Sequence, residues 1–232
     1  MRFSVPLYSQ AEAARYVDMP PSTFRTWTQG YERRGGGRPT VKGGPLITYL
    51  PTGRPGEPSV PFIGLAEAMF LSALRKAGVP LQQIRPSLSL VRDRLGVPYT
   101  LASRRLYVVG AQLLWEVSDE GELGSDARRA LIVLRDGQYV FREVIENYLR
   151  RIVYADDDYA NRVELPGYEV ARVVADPEFN FGLPFFQETG TPVSAVLARL
   201  RAGESVANVA DDFDLPEDEV VEVADRAELI EV

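Results

Sequence analysis

Residues 8–31, YSQAEAARYVDMPPSTFRTWTQGY, decide how the first half of the chain is read. Ser9 followed three residues later by Glu12 is a capping box: the hydroxyl accepts from an amide one turn in, and the carboxylate reaches back. Ala11, Ala14, Tyr16 and Val17 then give a first helix a narrow apolar side. Asp18-Met19-Pro20 interrupts it, and Pro20-Pro21 forces a restart, because proline suits a first helical turn and not an interior. The second helix, from Ser22, buries Phe24 and Trp27 at i, i+3 and leaves Ser22, Thr23, Arg25, Thr26 and Thr28 facing outward. Small hydroxyls with one arginine let a helix lie close to a phosphate backbone and still reach base edges. Two short helices with such a face form the pattern of a helix-turn-helix. An ordinary helical hairpin with a polar face would use the same residues.

The distribution of charge bears on that choice. The 232 residues carry a net charge of −7, but unevenly. Residues 1–111 hold 15 Lys+Arg against 6 Asp+Glu, a net of +9, and residues 112–232 hold 11 against 27, a net of −16. A basic front half joined to an acidic back half suggests a part that faces nucleic acid and a part that does something else.

Residues 28–61 are rich in turn formers, with 8 Gly and 6 Pro in 34 positions. Two β-prone runs, Leu46–Leu50 and Ser59–Ile63, flank the turn-rich stretch from Pro51 to Pro58. A hairpin directly after a helix-turn-helix is the layout of a wing. Arg33, Arg34, Arg38, Lys42 and Arg54 then become phosphate or minor-groove contacts, which supply affinity and salt dependence rather than sequence choice.

Further along, Gly64 to Gly78 has helical periodicity, and a second stripe runs from Pro80 to Gly96 with Pro86 inside it. From about Ser103 the period shortens to two. Strands are expected at 104–109, 112–117, 130–134, 139–141, 151–154 and 162–165, with a helix at 142–149. Pro166-Gly167 marks a boundary. A strand from Tyr168 to Val174 follows, then helices at 192–201, 205–213 and 216–229. The last of these repeats the helix–turn–helix shape, but residues 191–232 hold 3 Arg against 11 acids. Carboxylates set against phosphates repel, by a few kcal/mol per close pair on the order given by Coulomb's law. This unit therefore reads as a module for protein contact or dimerisation. The fold class expected is α+β, mainly helical. Its parts are a DNA-binding winged helix-turn-helix over residues 1–100, a small β-rich middle over 101–166 and an acidic helical domain over 167–232.

The chain has no cysteine and no histidine, which removes disulfides, thiol chemistry and the commonest general base and metal ligand. Asp156-Asp157-Asp158 and Asp211-Asp212-Asp214 are the dense acid groups, and both read as solvated surface. The run GGGRPTVKGG (residues 35–44) lacks the strand before and helix after that a phosphate-binding loop needs. No catalytic residue, metal or cofactor is expected. No run approaches the ~18 apolar residues of a membrane helix, and the first ten residues lack the apolar core of a signal peptide, so the expected location is the cytoplasm.

Residues 173–224 resemble a small helical family found in antitoxins of bacterial type II toxin–antitoxin pairs. The matching residues are Asp176-Pro177, Phe181-Gly182-Leu183-Pro184, Thr189-Gly190-Thr191-Pro192 and Arg201-Ala202-Gly203-Glu204-Ser205, then Val209-Ala210 and Val220. Upstream, Phe70–Leu95 and Gln138–Ile145 look like the companion region of longer members, and the front end resembles the winged helix-turn-helix of MerR-type regulators. The resemblance implies a VapB-like antitoxin, a homodimer that binds operator DNA as an autorepressor and neutralises a PIN-domain ribonuclease toxin. Asp211, Asp212 and Asp214 make this chain more acidic there than related sequences. The competing reading is a stand-alone MerR-like transcription regulator whose acidic domain takes a partner or a small effector, with Phe179, Phe181, Phe185 and Phe186 around a pocket.

Overall fold

The computed structural model describes residues 1–35, 38–54, 56–76, 88, 92–93, 96–106, 147–148 and 150–228. Among them, helix α1 (Gln10–Tyr16) and helix α2 (Pro21–Gln29) form the expected pair. The capping box is made on both sides: Ser9 Oγ accepts from the Glu12 amide, and the Glu12 carboxylate accepts from the Ser9 amide at 2.9 Å. Asp18 takes a left-handed turn, φ 52°, and ends α1. Phe24 and Trp27 are fully buried. The phase of α1 differs from expectation, since Ala11 is exposed and Ala13 is the residue packed inside.

The hairpin follows directly, as strands β1 (Tyr31–Gly35) and β2 (Arg38–Gly43), paired antiparallel with Glu32 opposite Lys42 and Arg33 opposite Val41. It lies earlier than the sequence suggests. The apolar runs 46–50 and 59–63 are not its strands, because their side chains serve the core. Leu46 and Ile47 are buried, and both their amides donate to the Trp27 carbonyl. Val60 bridges to Tyr8, and Ile63 already lies in helix α3 (Phe62–Lys76). β-propensity measures fit to a half-buried surface. A hairpin built of charged residues and glycine therefore escapes a search for apolar runs.

Helix α3 is buried almost all round, the mark of a core helix. Gly64 is required there: a Cβ at that position would stand 2.4 Å from the Thr48 carbonyl oxygen. Tyr148 packs edge-on against Phe70 and donates its hydroxyl to the Ala66 carbonyl at 2.7 Å.

Strands β3 (Ile152–Tyr154), β4 (Ala160–Glu164), β5 (Val173–Ala175) and β6 (Phe185–Phe186) form an antiparallel sheet in sequential order. Val163 sits opposite both Ile152 and Ala175, and Val174 opposite Phe185. β5 is shorter than the expected strand from Tyr168 to Val174. The amides of residues 169–171, which a strand would spend on its ladder, all donate to the Glu222 carboxylate instead. Arg105 and Leu106 are helical rather than extended, because the Ser103 hydroxyl accepts from the Arg105 amide and turns the chain. The expected strands at 112–117, 130–134 and 139–141, and most of the helices at 80–95 and 142–149, lie outside the described residues.

Helices α4 (Val193–Arg201), α5 (Val206–Phe213) and α6 (Glu217–Glu228) close the chain within a residue or two of the expected limits. Val196, Val209, Val220 and Val223 meet inside, and one apolar cluster joins them to α1, α2, α3 and the sheet. No helix among the described residues is long and apolar enough to cross a membrane.

Candidate nucleic-acid interface

Helix α2 presents Ser22, Arg25 and Gln29 to solvent along one ridge. Arg25 Nε donates to Gln29 Oε1 at 3.2 Å, so the two side chains already lie side by side. Arginine and glutamine are the residues whose paired polar atoms match the major-groove edges of guanine and adenine. Thr26 is half-buried and returns its hydroxyl to the Ser22 carbonyl. Thr23, also half-buried, accepts from Arg75 Nη1 at 2.9 Å, which brings the end of α3 to the flank of the ridge. Thr28 does not face outward. It is 3% exposed, and its hydroxyl is engaged by Gln10 and the Arg25 carbonyl. The reason is spacing: Thr28 follows Trp27 and falls four residues after Phe24, so it shares their inner face.

Arg33, Arg34, Arg38 and Lys42 all lie in the strands of the hairpin. Arg54 lies beyond it in an exposed turn, beside Glu57 at 3.5 Å. Gly30 joins helix to wing. Its φ of 76° suits glycine, and a Cβ would collide with the Gly43 carbonyl oxygen at 2.3 Å. The far end of the wing is held from inside the protein. Glu67, buried in α3, accepts the Thr48 amide at 2.6 Å, and Arg92 Nη2 donates to the Leu46 carbonyl at 2.5 Å. Burial pushes the Glu67 carboxyl above its ordinary range, opposed by the hydrogen bonds from Thr48 and by Arg92. The wing thus leaves α2 at Gly30 and returns to the core at 46–48, with both ends fixed.

Sequence reasoning missed Gln29, Arg75 and Glu67. Gln29 had a signal, being one turn beyond Arg25 on the same face. Arg75 and Glu67 had none, since each acts on a residue brought near only by the fold.

The acid groups take structural roles. Asp157 pairs with Arg2 at 2.5 Å, Asp158 with Arg105 at 3.1 Å and Asp212 with Arg199 at 2.5 Å. Asp214 supplies the left-handed C-cap of α5. Glu204 is the second carboxylate on Arg199, whose guanidinium also lies over the Phe213 ring. The four phenylalanines do not converge on a pocket: Phe185 and Phe186 are core, whereas Phe179 and Phe181 are exposed.

A helix pair with an outward polar ridge and a hairpin against it defines a helix-turn-helix protein, and the comparisons agree. Residues 6–88 match the family model described as "Putative DNA-binding HTH domain", and residues 173–225 match "Protein of unknown function (DUF433)". The chain is 46% identical over 228 residues to "Putative antitoxin VapB45" of Mycobacterium tuberculosis, covering 97% of this chain and 95% of that one. It also matches the X-ray crystal structure of Rv2018 from Mycobacterium tuberculosis, with TM-score 0.75 and 40% identity, over 96% of this chain and 99% of the other. The chain belongs to the VapB-like antitoxin family.

Proposed function

We propose that this antitoxin binds its own operator through α2 and the wing, as a dimer and an autorepressor, and that its acidic C-terminal part holds and neutralises a PIN-domain ribonuclease toxin. The ridge Ser22–Arg25–Gln29 carries the DNA half of the reading. It is the exposed face of a helix whose other side is locked into the core by Phe24 and Trp27. Rigid support from behind is what a reading helix needs in a groove. Ser22, Arg25, Thr26 and Gln29 contact bases or the adjacent backbone. Arg33, Arg34, Arg38, Lys42 and Arg75 meet phosphates, with Thr23 as the hydroxyl that orients Arg75. One such helix spans only a few base pairs, so two copies on a near-palindromic site are needed for useful specificity.

The back half supports the toxin reading by its sign. Residues 167–232 carry 4 Arg against 15 acids, which repels a polyanion and leaves a protein as the natural partner.

The test is a gel-shift titration on the promoter fragment upstream of the gene. Arg25→Ala is expected to weaken binding by roughly 1–3 kcal/mol and to relax preference at one base position. Replacing Arg33, Arg34 and Arg38 together should lower the slope of log affinity against log salt by about 0.9 per lost phosphate contact. Unchanged affinity in both variants would remove the assignment.

A further inference from the structure

We propose that the loop at residues 179–183 is a preformed aromatic anchor for a protein partner whose apolar pocket is framed by lysines and arginines. Phe179, Phe181 and Leu183 are 46%, 74% and 42% exposed, three large apolar side chains within five residues. Single exposed apolar residues are ordinary, but a cluster of them marks an interaction site.

The backbone shows that this display is built rather than incidental. Asn180, Phe181 and Gly182 all have positive φ, at 47°, 55° and 81°. Two consecutive non-glycine residues in the left-handed region persist only where their surroundings over-determine them, and such sites gather at ligand clamps and switches. The surroundings do so here. The Tyr8 hydroxyl, buried at the entry to α1, donates to the Gly182 carbonyl at 2.6 Å. The Gly182 and Leu183 amides donate to the Phe179 and Asn180 carbonyls, and the Asn180 side-chain amide donates to the Leu183 carbonyl. A Cβ on Gly182 would meet Leu7 Cδ1 at 2.8 Å. Below the loop, the Phe179 ring packs on Phe185, centroids 4.4 Å apart. Phe181 is therefore held outward by a rigid base, and an anchor ordered beforehand loses little entropy on docking.

The occupant follows from charge. Glu178, next to Phe179, is exposed, and Glu188 is exposed beside Gly190, on which the Phe179 ring lies. Residues 167–232, to which the loop belongs, carry 4 Arg and 15 acids, and Glu188 itself lies 3.8 Å from exposed Arg172. That balance of charge disfavours nucleic acid and anionic membrane as occupants. An apolar pocket rimmed by basic side chains on a folded protein fits both the aromatic tip and its border.

This inference rests on the toxin reading and names the surface it uses. The experiment is calorimetric titration of the purified toxin, encoded by the neighbouring gene, into the full-length antitoxin and its variants. Phe181→Ser should weaken toxin binding by about 30-fold or more, the effect of losing a hot-spot aromatic. Its melting midpoint and operator affinity should stay unchanged, because the side chain is 74% exposed and belongs to neither α2 nor the wing. Tyr8→Phe should weaken toxin binding by roughly two- to tenfold through loss of one buried hydrogen bond. Glu178→Lys should also weaken it and reduce its salt dependence. Full affinity in Phe181→Ser would overturn the anchor while leaving the toxin reading intact. A wild-type chain that binds no toxin would overturn both. A change in oligomeric state of Phe181→Ser by sedimentation, with toxin affinity kept, would identify a second copy as the occupant and overturn the proposal.

Discussion

Gly167 shows how much one residue decides here. The pair Pro166-Gly167 reads as a boundary between parts, yet the structure makes it a joint. The Gly167 amide donates to the Tyr16 carbonyl at 3.0 Å, and a Cβ would stand 2.6 Å from the Arg15 carbonyl oxygen. Both opposing atoms are backbone, which cannot rotate aside. Gly167→Ala is therefore expected to cost about 1–3 kcal/mol, the range for overpacking, read as a lower urea midpoint with unchanged m-value. Glu67 gives a second residue-scale expectation. Its folded-state pKa is raised, chiefly by burial, so over the interval from the ordinary carboxylate value up to the raised one the unfolded chain releases its proton first. Fewer protons on the unfolded state mean that stability falls as pH rises through that window. Glu67→Gln keeps an acceptor for the Thr48 amide and removes the titration. Its thermal midpoint should gain on wild type as pH rises above the ordinary carboxylate value, and a parallel pair of pH–stability curves would contradict this.

At the scale of elements, what was legible depended on whether the signal is local. The capping box at Ser9–Glu12, the proline restart at Pro21 and the helices at 193–201 and 206–213 were legible because caps and periodicity act over a few residues. The wing was legible as an element but not in place. Its strands hold Gly35, Arg38 and Lys42 rather than the apolar residues a strand search favours, and Leu46 and Ile47 are used for docking. The short β5 was hidden for the same reason in reverse. Its missing first residues are claimed by Glu222, 51 residues away from Ala171. Of the outward set on α2, Ser22 and Arg25 were legible from spacing, while Thr28 was assigned outward because it is polar and is turned inward by helix geometry. Glu222 is a latch for α6: one carboxylate accepts the amides of Glu169, Val170 and Ala171 at 2.6 to 3.0 Å. Glu222→Ala should cost about 1 kcal/mol, since three donors lose a charged acceptor at once but those of Glu169 and Val170 are at exposed residues where water can replace it. Hydrogen exchange is the direct measurement. Amides 169–171 should lose protection well before those of α3, and equal protection in the variant would rule the latch out.

For the whole molecule, the two charge halves are not separate bodies in space. Arg2 and Arg105 of the basic half pair with Asp157 and Asp158 of the acidic half, and Arg226 of the acidic half reaches Asp18 in the turn of the helix pair. Asp18 is also bonded to Lys76, and that bond, with Arg226, holds its carboxyl below the ordinary range. These pairs are exposed and worth little each, but they cross the same seam as the buried contacts Tyr8–Gly182 and Tyr16–Gly167. On the α2 side, Arg25 lies against Gln29 and Arg75 against Thr23, neutral partners rather than carboxylates. Ion pairs and buried hydrogen bonds thus lie along one seam between the two halves of the sequence. A consequence is that the helix pair leans on the C-terminal part for its cover. Removing residues 167–232 strips Gly167 and Gly182 from Tyr16 and Tyr8 and takes away the valines that complete the apolar cluster. An exposed core face of that kind does not support a cooperative transition. The chain cut to residues 1–166 is expected to bind a hydrophobic dye and to melt without a sharp midpoint, and operator binding should fall with it. Circular dichroism melts and dye fluorescence of the truncated and full chains decide the matter. A truncated chain with the full chain's midpoint and operator affinity would show that the front half stands alone and that the contacts across the seam are incidental.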